Sequence, residues 1–149
     1  MYPDPRVAKF ITEQFVPVRF HVKDQHDDFH RVGGKYGAQW TPTILIVDAD
    51  GTEHHRIEGF LPVDDFTSQL MLGMARAAFD RNDYAAAGQL YRRVVEQFPE
   101  TEAAPEALYW AGVSKYRATN DPSALKATAA AFAERYQSTS WAKKASVWR

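Results

Sequence analysis

Histidine and aspartate side chains are concentrated in one short segment of the chain. His26 and His30 are four residues apart, so on a helix both imidazoles would lie on one face at the spacing of metal ligands. The same segment also holds His21, Asp24, Asp27 and Asp28. A solvated polar helix explains this composition more simply, so we assign no metal site, and metal binding through His26 and His30 stays an alternative function.

The other side chains offer little chemistry. His54 and His55 are neighbours in a predicted strand, so they point to opposite faces and cannot bind one ion together. The sequence has no cysteine, which excludes disulfides, thiolate metal sites and thiol redox chemistry in this chain. Because it also has no Gly-x-Ser-x-Gly turn and no phosphate-binding glycine loop, we predict no catalytic residue and no cofactor.

Hydrophobic periodicity predicts which elements position these side chains in the first 60 residues. Two helices are expected at Asp4–Gln14 and at Gln25–Tyr36, the second ending near Gly33-Gly34. Three strands are expected at Phe15–Val22, Thr43–Val47 and His54–Ile57. The last two strands are joined by Asp50-Gly51, a pair that is typical of a tight hairpin turn.

From Leu61 onwards the pattern is helical. Helices are predicted at Asp64–Asp80, Tyr84–Phe98, Pro105–Ala118, Pro122–Gln137 and, as the start of one more, Ser140–Arg149. The stretch Val94–Ala107 lines up with Phe132–Ala145, which indicates a repeating helical hairpin. Because no Gly-, Ser- or Pro-rich linker separates strands from helices, we expect a rigid junction in which both parts share Asp64–Asp80.

Composition excludes several classes of partner. The net charge of -1 and the isoelectric point near 6.5 provide no basic surface for nucleic acid or for an anionic membrane. No apolar run approaches the length of a membrane span, and the first residues do not resemble a signal peptide. These features do not identify a compartment, and we take the cytoplasm as the default expectation.

An ordered set of short motifs runs through the first 70 residues. The motifs are Asp4-Pro5-Arg6-Val7, Phe15-Val16-Pro17-Val18, Tyr36-Gly37, Thr41-Pro42-Thr43, Asp50-Gly51 and Gly59. In this order and at this spacing they resemble the thioredoxin-like family over Tyr2–Leu70. The resemblance implies a cis peptide bond before Pro42. It also implies a Cys-x-x-Cys motif upstream of Tyr2, preceded by the central strand of the sheet.

The central strand implied by this resemblance has no counterpart in the sequence. A buried strand contributes several apolar side chains at roughly 1.5–3 kcal/mol each, and the stability of a whole domain is only about 5–15 kcal/mol. Three explanations stay open. In the first, the gene product is truncated at its N-terminus. In the second, a partner or a second copy supplies the strand. In the third, Phe15–Val22 pairs directly with Thr43–Val47. Exposed edges on these two strands would favour a homodimer.

Trp40, Thr41 and Pro42 form the best candidate site. In the family that this region resembles, the backbone beside the cis proline pairs with an extended peptide, which adds a strand to the sheet. The resemblance thus implies a peptide-binding ledge with Trp40 as its apolar wall. In the alternative interpretation the proline only shapes the loop and Trp40 packs inside the protein.

The helical repeat has nearly the spacing of a tetratricopeptide repeat. Its first unit resembles that family at Tyr84, Ala87, Tyr91, Val94 and Pro99, and its second unit at Leu108, Gly112 and Leu125. The resemblance implies stacked hairpins with a groove for a partner helix or peptide. An array of hairpins without repeat identity is the alternative. Most of the Tyr and Trp side chains in this part are expected in its core.

The predicted fold class is α/β followed by all-α. An incomplete thioredoxin-like domain is expected over residues 1–70, and tetratricopeptide-like hairpins over residues 64–149. The predicted function is a protein-interaction module with a protein or peptide partner. The first alternative is the C-terminal part of a thiol–disulfide oxidoreductase whose cysteines lie upstream of Met1, and the second is metal binding through His26 and His30.

Overall fold

The computed structural model describes residues 4–149. Its elements are α1 (Pro5–Gln14), α2 (His26–Lys35), β1 (Thr43–Val47), β2 (Glu53–Glu58), α3 (Val63–Asp80), α4 (Tyr84–Gln97), α5 (Ala103–Thr119), α6 (Ser123–Glu134) and α7 (Ser140–Ala145), followed by a 3-10 turn at Ser146–Trp148. This order confirms the predicted class, an incomplete α/β region followed by an all-α array. Residues 1–3, where the predicted first domain begins, lie outside the described part.

The chain divides into two compact units. Among the described residues, unit one comprises residues 4–44 and Ile57–Val63, and unit two comprises Leu45–Arg56 and Asp64–Arg149. Strands β1 and β2 form an antiparallel hairpin, the one sheet found over residues 4–149. Its turn is closed by a hydrogen bond from the Gly51 amide to the Asp48 carbonyl, at 2.9 Å. Gly51 has a φ of 85°, a conformation that glycine adopts without strain.

The predicted strand at Phe15–Val22 is wrong, because these residues are not in a strand. Val16 and Val18 are 92% and 73% exposed, so the alternating valines cover no core. Alternation creates an apolar face, but a strand also needs a neighbouring backbone to pair with. Within residues 4–149, β1 pairs only with β2. The explanation by a smaller sheet, with Phe15–Val22 paired to Thr43–Val47, is therefore also wrong.

In unit one, α1 begins with a side-chain cap. The Asp4 carboxylate accepts a hydrogen bond from the Arg6 amide at 2.8 Å, and Pro5 occupies the first turn, where no N–H is needed. Val7 is the buried residue of this helix, with 1% of its surface exposed. Helix α2 is polar and has no buried residue, so its histidines lie on a solvated surface.

In unit two, successive helices pack against one another: α4 on α5, α5 on α6, and α7 on both α5 and α6. Small residues allow close approach at these contacts. Gly112 of α5 lies so close to α6 that a Cβ atom there would fall 2.0 Å from the hydroxyl oxygen of Thr128. Tyr91, Val94 and Phe132 are among the most deeply buried large side chains of this unit. The array thus forms a packed core of its own.

Candidate functional site

Trp40, Thr41 and Pro42 lie in the bend that leads into β1. The peptide bond between Thr41 and Pro42 is cis. The Trp40 carbonyl accepts a hydrogen bond from the Thr43 hydroxyl at 2.6 Å, and the Pro42 carbonyl accepts one from the Gly59 amide at 2.9 Å. These two bonds hold the backbone on both sides of the proline, which leaves the side chains of the bend to project from a fixed frame.

The indole of Trp40 projects into solvent. Trp40 is 67% exposed, and Thr41 beside it is exposed as well. An indole that served only to fill the core would be buried, since tryptophan is highly buried on average. The packed-inside interpretation of Trp40 is therefore wrong. Next to this bend, the edge of β1 that faces away from β2 has no strand partner within residues 4–149.

The aromatic side chains of unit two form a chain of ring contacts. Phe79 meets Trp110 with 5.2 Å between ring centroids, and Tyr109 meets Trp141 at 5.3 Å and Trp148 at 4.7 Å. Most of these rings were expected in the core. Tyr91 is fully buried, whereas the others are half-buried, namely Tyr84, Tyr109, Trp110, Tyr116, Tyr136, Trp141 and Trp148. The array therefore presents partly exposed aromatic surface along α5 and α7.

Charged side chains border this aromatic surface. The Arg76 guanidinium lies 5.1 Å from the Trp110 ring centroid, and the Lys144 ammonium lies 3.9 Å from that of Trp141. Glu106 lies one turn before Tyr109 and Trp110 on the same face of α5. Burial raises the pKa of the half-buried Glu106 carboxyl, and the charges of His55, Arg76 and Lys144 act in the opposite direction. The surface thus combines aromatic rings with charges of both signs.

His54 of β2 is held between two carboxylates. Its Nδ1 lies 2.7 Å from Asp80 Oδ2, and its Nε2 is hydrogen-bonded to Asp48 Oδ2. Arg81 Nη1 donates to the other oxygen of Asp48 at 3.1 Å, and Arg76 Nε lies 3.2 Å from the other oxygen of Asp80. The five side chains therefore alternate in charge, and they connect the hairpin turn to the end of α3.

The pKa of His54 reflects opposing effects. The imidazole side chain is 4% exposed, and this burial is the largest effect and disfavours the proton. The hydrogen bonds that the imidazole donates to Asp80 and Asp48, together with the charges of these carboxylates, outweigh burial and raise the pKa of His54 above the ordinary value of 6.5. Both ring nitrogens face carboxylates, and when both donate the imidazole carries a positive charge. The cluster is built to hold a charge in place.

The sequence did not predict this cluster. His54 was expected on one face of a strand and His55 on the other, and they do diverge, since His55 Nε2 lies 2.7 Å from Gln69 Oε1. Asp80, however, is 26 residues away from His54 and on another element. Only the packing of the hairpin on α3 brings these side chains together, and no local spacing signals it.

Of His21, His26 and His30, which the sequence groups as possible metal ligands, the structure brings only two together. His26 and His30 approach with 3.0 Å between their Nε2 atoms. His21 does not join them, because its Nδ1 lies 3.0 Å from Asp24 Oδ2. Asp28 pairs with Arg31 at 3.0 Å. Across residues 4–149, no group of three or more histidine, aspartate or glutamate side chains is arranged to hold a metal ion.

Two family models match the chain. Residues 1–72 match the model of a thioredoxin-like domain, and residues 69–101 match that of a tetratricopeptide repeat. The two matches confirm both predicted resemblances and their order. No curated protein and no solved structure matches the chain. Among the helices of residues 4–149, none is long and apolar enough to cross a membrane.

Proposed function

We propose that this chain, which carries a thioredoxin-like domain followed by a tetratricopeptide repeat, is a protein-interaction module. The observation that carries the proposal is the exposed indole of Trp40, on a bend whose backbone carbonyls at Trp40 and Pro42 both accept hydrogen bonds. Exposed tryptophan is costly to leave in water and is enriched at the energetic centres of interfaces. An exposed indole on a hydrogen-bonded bend therefore supports a binding role.

The proposed ligand of this bend is an extended peptide. Its backbone would pair with the free edge of β1, as in the addition of a strand to a sheet. One of its apolar side chains would pack on the Trp40 ring. Removing a large apolar side chain from water contributes about 1.5–3 kcal/mol, so Trp40 would provide a large share of a micromolar affinity, which corresponds to about 8 kcal/mol.

A second proposed contact surface lies on the helical array. Tetratricopeptide repeats generally mediate protein–protein contacts, and helical repeats bind partners on extended surfaces. The half-buried rings of Tyr109, Trp110 and Trp141 offer aromatic area, and Arg76 and Lys144 add charge at its border. Such a mixture suits a protein segment that carries both apolar and charged side chains.

The strand edges also support a proposal about self-association. A free edge on β1 presents unpaired backbone groups that a second copy can pair with, so we include a homodimer in the proposal. Light scattering across a hundredfold range of concentration tests it, and a constant monomer mass contradicts it. We further propose the cytoplasm as the place where the module acts.

The peptide-binding proposal is tested with an immobilised array of random octapeptides probed by the full chain. We expect a set of apolar peptides to bind the natural chain and to bind Trp40→Ala at least about tenfold more weakly, a loss of about 1.4 kcal/mol. Val16→Ala is the control, because Val16 is 92% exposed in the same unit and lies outside the predicted site. Equal binding by Trp40→Ala and the natural chain contradicts the proposal.

A further inference from the structure

The imidazoles of His26 and His30 form a pair on the exposed face of α2. Their Nε2 atoms are 3.0 Å apart and their ring centroids 4.3 Å apart. The His26 side chain is 67% exposed, and His30 is exposed as well. At this distance one Nε2 donates a hydrogen bond to the other, and a bound metal ion would take the place of the shared hydrogen.

The separation of the two nitrogens is near that of two ligands on one metal ion. Imidazole nitrogens lie about 2.05 Å from a bound divalent transition metal, so two neighbouring ligands on one ion are about 3 Å apart. Imidazole binds Cu²⁺ and Ni²⁺ readily, and Cu²⁺ binds to such ligands more tightly than Zn²⁺ does.

One neighbouring ring packs against the pair. The Phe29 ring meets the His30 ring edge-on, with 5.9 Å between centroids. Asp27 Oδ1 lies 3.7 Å from His26 Nδ1, which is beyond a hydrogen bond, so this exposed carboxylate adds only a screened attraction for a bound cation. The ring contact reduces the reorganisation that binding requires.

We infer that His26 and His30 bind one divalent transition-metal ion, Cu²⁺ or Ni²⁺ in preference to Zn²⁺, with water completing the coordination. The site is independent of the proposed peptide-binding function. Both protein ligands come from one helix, so the site needs no partner chain. With two protein ligands the ion is held less tightly than at a structural site with four, and it exchanges with the solution.

The test is a titration of the full chain with Cu²⁺, followed by calorimetry and by electron paramagnetic resonance. We expect one equivalent to bind, with hyperfine splitting from two imidazole nitrogens. His30→Gln and His26→Gln should each weaken binding by at least about tenfold. His21→Gln is the matched control, because His21 is an exposed histidine that contacts Asp24 and neither member of the pair; it should leave binding unchanged.

A second control tests the spacing itself. The double variant His30→Gln with Arg31→His keeps the number of histidines but separates them by five residues, which takes them off the common helix face. We expect it to bind as weakly as His30→Gln. The inference is overturned if this variant or His30→Gln binds Cu²⁺ as tightly as the natural chain. It is also overturned if Zn²⁺ binds more tightly than both Cu²⁺ and Ni²⁺.

Discussion

The charged cluster around His54 makes a quantitative prediction for His54→Gln. The natural imidazolium donates to Asp48 and Asp80, and a hydrogen bond to a charged group contributes about 1.5–3 kcal/mol. Glutamine can restore one donor. The carboxylates, with side chains 29% and 34% exposed, recover some hydration and each keep an arginine partner. We therefore expect a net loss of about 2 kcal/mol at pH 6.

This loss should depend on pH in one direction. Because the pKa of His54 is raised on folding, its contribution is complete below the unfolded value of 6.5 and disappears as the pH rises through the folded pKa. Above that pKa the neutral ring can donate to only one of its two carboxylates. The gap in stability between the natural chain and His54→Gln should therefore be widest near pH 6 and narrow steadily towards pH 9.

The groups that face His54 are part of this prediction. Asp48 lies at the hairpin turn, Asp80 at the end of α3, and their partners are Arg81 and Arg76. The charge of His54 also helps to lower the pKa of Asp50, which lies in the same turn. All five act on the ring together, so salt should weaken the effect only in part, since the imidazole itself is buried.

Urea unfolding, monitored by far-ultraviolet circular dichroism at pH 6, 7, 8 and 9, measures the difference in free energy of unfolding between the natural chain and His54→Gln. A loss of about 2 kcal/mol lowers the melting temperature by roughly 4–8 °C for a chain of this size. His55→Gln is the control, since His55 lies in the same strand but its Nε2 is hydrogen-bonded to the neutral Gln69, and Glu53 and Glu106 interact with it through charge alone. A gap that is constant with pH, or that widens as the pH rises, refutes the reasoning about His54.

Two further predictions concern packing in the helical array. Gly112→Ala should lower the free energy of unfolding by about 1–3 kcal/mol, because the new Cβ would lie 2.0 Å from Thr128 Oγ1. Gly88→Ala should raise the free energy of unfolding by up to about 1 kcal/mol through helix propensity, because its Cβ would lie 3.4 Å from Ser114 Cβ, an ordinary contact. Thermal melts compare the pair, and equal effects would contradict the packing. Tyr91→Phe removes a buried hydroxyl that has no hydrogen-bond partner among residues 4–149, so urea unfolding should show no loss, or a gain of about 1 kcal/mol. A loss above that size would reveal a partner for the hydroxyl.

Local patterns predicted those elements whose structure is decided locally. The strand Thr43–Val47 was predicted with the bounds of β1, and the turn at Asp50-Gly51 lies where expected. The predicted helix Tyr84–Phe98 differs from α4 by one residue. In each case the hydrophobic period of the segment and the cap or turn residues at its ends indicate the same element, and such agreement makes an element predictable.

The segment Phe15–Val22 failed because pairing is not a local property. Its alternation is as regular as that of β1, but Val16 and Val18 have no core to cover and its backbone is in no strand. The cluster around His54 was missed for a related reason. Asp48, His54 and Asp80 come from three places in the sequence, and only tertiary packing brings them together. The exposure of Trp40 likewise depends on packing and could not be predicted from residue type.

The central claim, that Trp40 and the edge of β1 receive an extended peptide, is tested most directly by nuclear magnetic resonance. A peptide selected on the octapeptide array is titrated into the ¹⁵N-labelled chain. We predict saturable shifts of the Trp40 indole N–H and of the amides of Thr43–Val47, with new protection of those amides from hydrogen exchange. Shifts confined to α3–α7, or to Phe15–Val22, with Trp40 unchanged would contradict the claim.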